Sequence, residues 1–238
     1  MAARPDGAGL HELAQELSSP KSSVHRALAA LRRAGLVEQD GNGRYWLGWD
    51  LLHLTFAYYE QLDGVTRVRP ALVALAERFG ETVHYATLDG SEIVYQAKVQ
   101  PKSVLFQMTS SVGGRNPAYC TGVGKTLLAF ELRDLEAVER FVKANGPLPA
   151  RTHNTVTEPA RLFEELKATR RRGYGVDREE HEQGVVCLGI PLFLASTAVP
   201  AGAISIAAVA QRTPLERLEG SIDAIRKIIV QQMGDVLA

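Results

Sequence analysis

LHELAQELSSPKSSVHRALAALRRAGLVEQDGNGRYWL, Leu10 to Leu47, reads as a helix, a tight turn, a second helix and a β-hairpin. Leu10, Leu13, Ala14 and Leu17 stand at i, i+3, i+4 and i+7, the spacing that gathers side chains into one stripe along a helix. Ser18-Ser19-Pro20 ends it. Ser19 is placed to accept from the free amides of the next turn, and proline fits a first helical position, where its missing N–H leaves nothing unpaired. From Pro20 to Ala34 a second helix is expected to bury Val24, Ala27, Leu28 and Leu31 and to turn Ser22, Arg26, Ala29 and Arg33 the other way, with His25 and Arg32 on its flanks. Gly35 suits the left-handed residue after a helix end. Leu36–Gln39 and Arg44–Leu47 make two short strands closed by Asp40-Gly41-Asn42-Gly43, residues that tolerate positive φ. This is the order of parts in a winged helix-turn-helix, with the hairpin as wing.

Such a helix fits a major groove. Small Ala29 and Ala30 permit close approach, and Ser19, Lys21, Ser22, Ser23, His25, Arg26 and Arg33 are the candidate DNA contacts, joined on the wing by Arg44 and Tyr45. Between Ser18 and Trp49 the basic Lys21, Arg26, Arg32, Arg33 and Arg44 face only Glu38 and Asp40. A lone basic helix is more often a solvated face. The turn and the wing beside it tip the reading toward double-stranded DNA, with specificity coming from contacts more than from steering.

The whole chain is neutral, 27 basic against 27 acidic residues in 238, so it has no general affinity for polyanions or anionic lipid. Its 45% hydrophobic content can fill a core, and the pattern changes near Leu62, which suggests two domains. Two cysteines, Cys120 and Cys187, argue against a disulfide framework and suit a reducing cytoplasm, and the N-terminus lacks an apolar secretory segment. Gln183 to Gln211 carries no charged side chain and exceeds the roughly 20 residues that cross a bilayer as a helix. Pro191, Pro200 and Gly202 interrupt it, so a buried hairpin of Val185–Leu192 and Ala201–Val209 is expected in place of a membrane span.

WDLLHLTFAYYEQL, Trp49 to Leu62, is apolar on more than one side: Leu51, Leu52, Thr55, Phe56 and Tyr59 make one stripe and Leu54 with Tyr58 broaden it. Such a helix needs two neighbours, here its own domain and a second subunit. A helix from Val68 to Phe79 follows, kinked or restarted at Pro70. Thr82–Leu88 and Glu92–Val99 are separated by Asp89-Gly90-Ser91, a hairpin turn, and a strand is expected at Ser103–Met108. Helices at Gly124–Glu131, Leu135–Ala144 and Pro159–Arg172, strands near Tyr174–Asp177, Val185–Leu192 and Ala201–Val209, and one last helix from Pro214 complete an α+β domain with an antiparallel sheet.

The chain resembles the IclR family of bacterial transcriptional regulators. The blocks that carry the resemblance are SSPKSSVHRALAALRRAGLVEQDGNGRYWLG, VGGRNPAYCTGVGKTLLA, RRRGYGVDREEHEQGVVCLGIPLF and AGAISIAAV. It implies an α+β fold: a winged helix-turn-helix DNA-binding domain at 1–48, a linker and dimerisation helix at 49–64 and a GAF-like effector-binding domain at 65–238. It implies a homodimer or dimer of dimers whose operator binding responds to a small metabolite. Members carry a full helix ahead of the segment at Leu10. Met1–Gly9, rich in Gly, Pro and Asp, offers none, which points to a late translation start or a pared-down DNA domain.

Carried over position by position, the resemblance implies an effector site of Leu105, Met108, Asn116, Gly122, Val123, Asp177, Val185, Cys187, Ser205 and Ala207. Asn116 falls where the namesake is apolar and Ala207 where it has a second serine, so a small keto acid is not carried over as effector. Gly122-Val123-Gly124 opens a helix whose free N–H groups suit a carboxylate. A small organic acid follows, and Tyr119 with Asn116 suits an aromatic or amide-bearing one.

GVGKT, Gly122 to Thr126, resembles the end of a phosphate-binding loop, but Tyr119 stands where that loop needs its first glycine. Arg178-Glu179-Glu180-His181-Glu182 reads as a solvated charged loop. The six histidines lack zinc-site pairing, and the resemblance leaves only a faint metal set of His84, Cys120, Asp177 and Cys187. Cys187 reads as a small side chain of the pocket wall. No cofactor is implied and no nucleophile–base pair suggests an enzyme. The alternative is a small-molecule sensor that has lost DNA binding and acts through protein contacts.

Overall fold

The computed structural model of the chain describes all residues except 3, 5, 61–62, 102–107, 195 and 238, with the backbone alone at 58–60 and 63. The expected strand at 103–108, apart from Met108, and Leu105 within it lie outside the described residues, as do the side chains of Tyr58 and Tyr59. The chain divides into two compact units, Met1–Asp63 and Gly64–Ala238.

In the first unit α1 spans Leu10–Glu16 and α2 spans Lys21–Arg33. The hairpin pairs β1 (Val37–Gln39) with β2 (Tyr45–Leu47), and α3 follows at Trp49–Glu60. The Glu12 carboxylate accepts the Gly9 N–H at 3.1 Å and starts α1. Ser19 does not cap α2 as expected: its hydroxyl donates to the Leu17 carbonyl at 2.9 Å, and Pro20 takes the capping position. Gly35 has the left-handed φ of +68° that closes α2, and Asp40 Oδ1 accepts the Asn42 and Arg44 amides to fold the wing turn. Leu13, Ala14, Val24, Leu28, Val37, Tyr45 and Ala8 form the core. Three expected core residues are instead exposed: Leu17, Ala27 and Leu31. They border an apolar groove of about 330 Å³ that Met1 also lines. No helix precedes Leu10 among the described residues, and Ala8 forms a β-bridge with Tyr45.

The helix α4 (Asp63–Phe79), all but its first residue in the second unit, runs on through Pro70 without the expected restart and ends at Gly80, φ +67°. The strands are β3 (Thr82–Asp89), β4 (Glu92–Val99), the short β5 (Arg115–Pro117), β6 (Gly175–Arg178), β7 (Val185–Leu192) and β8 (Gly202–Val209). They form one antiparallel sheet in the order β5-β4-β3-β8-β7-β6. The helices are α5 (Gly122–Glu131), α6 (Leu135–Asn145), α7 (Pro159–Arg172), α8 (Leu215–Glu219) and α9 (Ile222–Met233). The last two replace the single C-terminal helix expected, with Gly220 as the break. Among the described residues no helix is long and apolar enough to cross a membrane, and the uncharged stretch is the β7–β8 hairpin.

Close packing of α5 on the sheet explains the glycines of GVGKT and its neighbours. Gly175 and Gly189 are cross-strand partners, and a Cβ on Gly175 would stand 2.5 Å from the Gly122 carbonyl, one on Gly189 2.8 Å from it. Thr126 fills the gap, its Oγ1 accepting the Gly175 N–H at 3.0 Å and lying 2.7 Å from the Gly122 carbonyl oxygen. A methyl group has no room, so Gly175→Ala is expected to cost about 1–3 kcal/mol, read by urea titration. A change within about 0.5 kcal/mol, the usual scatter of surface substitutions, would contradict this packing.

Candidate functional site

On α2 the structure leaves Lys21, Ser22, Ser23, His25, Arg26 and Arg33 exposed. Among the described residues Lys21, Arg26 and Arg33 have no ion-pair partner, whereas Arg32 is held by the Gln39 carboxamide at 2.7 Å. One side of the helix is thus anchored to the wing and the rest presents donors. One wing assignment is corrected. Tyr45 is 3% exposed and belongs to the core, because β2 alternates and turns the exposed Trp46 outward. Arg44 donates to the Asp6 and Gly7 carbonyls at 2.6 and 2.8 Å, tying down the N-terminal segment. Ser19 is half-buried and bonded to Leu17.

The second unit holds a cavity of about 350 Å³ on the α5 side of the sheet. Register builds its floor. Asp177 pairs with Cys187 and Cys187 with Ala207, while one row over Gly189 pairs with Ser205 and Ser205 with His84. Side chains in register share a face, so Asp177, Cys187, Ser205, Ala207 and His84 point the same way. A β-bulge between Tyr85 and Ala86 brings Tyr95 and Lys98, three apart in β4, onto that face together. Tyr95 packs its ring 4.7 Å from His84. The Lys98 ammonium donates to the Met108 and Ser110 carbonyls at 2.7 and 2.6 Å and holds the 108–111 loop over the cavity.

Of the expected effector residues, Met108, Asn116, Val123 and Val185 line this cavity together with Asp177, Cys187, Ser205 and Ala207. Gly122 does not. Its Cα is sealed by Cys187, whose carbonyl oxygen and sulfur would lie 2.9 and 3.1 Å from a Cβ there. Tyr119 also lies apart, donating its hydroxyl to the Pro149 carbonyl at 2.5 Å. The cavity adds His84, Tyr95, Thr121, Arg151 and His181, which sequence reading did not place in it. Asn116 Nδ2 donates to the Tyr95 hydroxyl at 3.2 Å.

Burial sets the protonation states. His84 is driven down to about 3, by burial first and then by the Lys98 charge, and is neutral at physiological pH; its Nε2 lies 2.8 Å from Ser110 Oγ and its buried Nδ1 has no partner among the described residues. His181 falls to about 4 through burial and the Arg151 charge. Cys187 and Cys120 are each pushed up to about 12 by burial and the Asp177 carboxylate, so both are unreactive thiols. Asp177 rises to about 7 by burial, against the pull of the Glu180 and His181 amides and the Lys125 charge.

A carboxyl whose folded pKa exceeds its unfolded value stabilises the fold when protonated and loses that contribution as pH rises from about 4 to 7. The stability of the wild type relative to Asp177→Asn is therefore expected to fall across that window, with a slope approaching about 1.4 kcal/mol per pH unit. Chemical denaturation at a series of pH values checks it, and a flat difference would contradict a raised Asp177.

The charged loop 178–182 is corrected too. Glu180 is 4% exposed and forms an ion pair with Lys125, itself fully buried inside α5, while Glu165 lies 3.7 Å from the same ammonium. The lysine of GVGKT therefore serves the core. Among the described residues no three His, Cys, Asp or Glu side chains are placed to hold a metal ion.

Residues 1–41 match the IclR helix-turn-helix domain and residues 56–232 the C-terminal domain of bacterial transcriptional regulator IclR. Transcriptional repressor IclR of Escherichia coli is 36% identical over 187 residues, covering 77% of this chain and 67% of its own. The HTH-type transcriptional regulator KdgR of the same species is 34% identical over 228 residues, covering 94% and 85%. The crystal structure of Thermotoga maritima IclR superposes with a TM-score of 0.73 at 30% identity, covering 97% of this chain and 93% of that one. A winged helix-turn-helix followed by an α+β domain with a polar-lined cavity defines a ligand-responsive transcriptional regulator. The chain belongs to the IclR family.

Proposed function

We propose that the exposed face of α2 reads operator DNA in the major groove and that an organic acid in the cavity of the second unit shifts that binding. The observation that carries the reading is the pairing of the two sites: Lys21, Arg26 and Arg33, without ion-pair partners among the described residues, on one helix, and a half-open cavity with convergent polar groups in the other unit. Lys21 contacts phosphate and Arg26 a base edge, with Ser22, Ser23, His25 and Arg33 beside them. Met108, Asn116, Val123, Asp177, Val185, Cys187, Ser205 and Ala207 surround the effector. The protein acts in the cytoplasm as a regulator without catalysis. Coupling is reciprocal, so an acid that weakens operator binding is itself bound less tightly by the DNA complex. Gel shift with the DNA upstream of its own gene tests this. Binding to every duplex alike, with no response to acids, would favour a sensor acting through protein contacts.

The protein acts as a homodimer or dimer of dimers joined through α3. Trp49, Leu52, Leu54 and Phe56 are 75%, 42%, 58% and 62% exposed, more apolar surface than a lone helix leaves to water. Sedimentation at micromolar concentration is expected to give a dimer or larger, and Leu54→Glu with Phe56→Glu to shift it toward monomer. A wild-type monomer would contradict the assignment.

A further inference from the structure

We infer that Arg151 is the residue that selects the effector's charge: it grips the ligand's carboxylate at the cavity rim, and the inner end takes an uncharged hydrogen-bonding part of the same molecule. The inference rests on the organic-acid reading above and adds where the acid group sits. Gly122 at the start of α5 does not line the cavity, its Cα being crowded by Cys187. Of the two arginines lining the cavity, Arg115 is engaged by Asp89 and Glu92. Arg151 has no ion-pair partner among the described residues. Its Nε donates to the His181 carbonyl at 3.3 Å, which orients the guanidinium and leaves its terminal nitrogens, the edge that binds carboxylates in bidentate fashion.

The inner end disfavours a second anion. The buried Asp177 lies there, and His84, which has no charge to offer, packs against Tyr95, pairs across the sheet with Ser205 and keeps a buried Nδ1 unpartnered among the described residues. Neutral hydroxyl or carbonyl groups match that set, because a buried polar atom left unpaired is costly and a hydrogen-bonding ligand relieves it. The class is a hydroxy or oxo monocarboxylate of modest size, in keeping with about 350 Å³ of space.

The test titrates the full-length protein calorimetrically with pyruvate, 3-hydroxybutyrate, gluconate and 4-hydroxybenzoate, and with the primary amide of whichever binds tightest. Wild type is expected to bind at least one acid and to prefer it over its amide. Arg151→Gln, with unchanged thermal stability in the absence of ligand, is expected to lose at least tenfold in acid affinity and to bind acid and amide alike, while Arg151→Lys recovers part of the preference. If no acid binds wild type, the organic-acid reading falls and this inference with it. If Arg151→Gln keeps the preference for acid over amide, Arg151 is not the anchor, while the organic-acid reading stands.

Discussion

Replacing Lys125 by methionine is expected to destabilise the Gly64–Ala238 unit by about 3–5 kcal/mol, the usual result of stranding one partner of a buried ion pair. Lys125 is fully buried, Glu180 nearly so, and Glu180 Oε2 already lacks a partner among the described residues. Without the ammonium the Glu180 carboxylate either stays charged in a poorly solvated site or takes up a proton at a cost. Removing both charges is different: Lys125→Met with Glu180→Leu is expected to recover at least half of the loss, because an apolar pair of similar volume replaces an ion pair with little penalty. Urea unfolding of the three proteins measures this. A single-variant loss below about 1 kcal/mol, typical of exposed pairs, would show that solvent reaches the pair.

Arg26→Ala is expected to weaken binding to the operator by about 1–3 kcal/mol, roughly 5- to 150-fold, and to relax the sequence preference at one position of each half-site. The guanidinium is exposed on α2 with no partner among the described residues, so removing it leaves the fold intact and takes away a donor pair able to meet a guanine edge. Lys21→Ala should instead weaken all sequences alike and lower the salt slope by about one. Gel shifts at several salt concentrations separate the two, and an unchanged preference in Arg26→Ala would remove the arginine from base readout.

The elements themselves were legible in the sequence wherever one period dominated. Pro159–Arg172 and Val185–Leu192 were read to the residue because a proline opens one and a charged loop precedes the other. Legibility failed where tertiary context decided. Val24 and Leu28 are core, yet Ala27 and Leu31 on the same stripe are bare, since a stripe predicts which side is apolar and not whether anything covers it. Tyr45 and Trp46 are adjacent, and only the pairing of Val37 with Leu47 fixes which one turns inward.

The cavity shows the same division. Its floor residues on β6, β7 and β8 came from the resemblance. Tyr95 reaches it, and Lys98 the loop beside it, through a bulge that no alternation pattern announces, and Arg151 enters from a stretch between helices that has no period at all. Glu180 sat in a run of charges that reads as solvated, and only its contact with Lys125, far away in the chain, reveals a core residue.

The claim on which the rest depends is that α2 lies in the groove of operator DNA. Both native cysteines are buried, so Ser22→Cys supplies one accessible thiol on the exposed face of that helix. With an iron chelate attached there, strand cleavage of the upstream DNA is expected in short windows inside each half-site of the footprint. Cleavage that is uniform along the duplex, or absent while the protein remains bound, would contradict it.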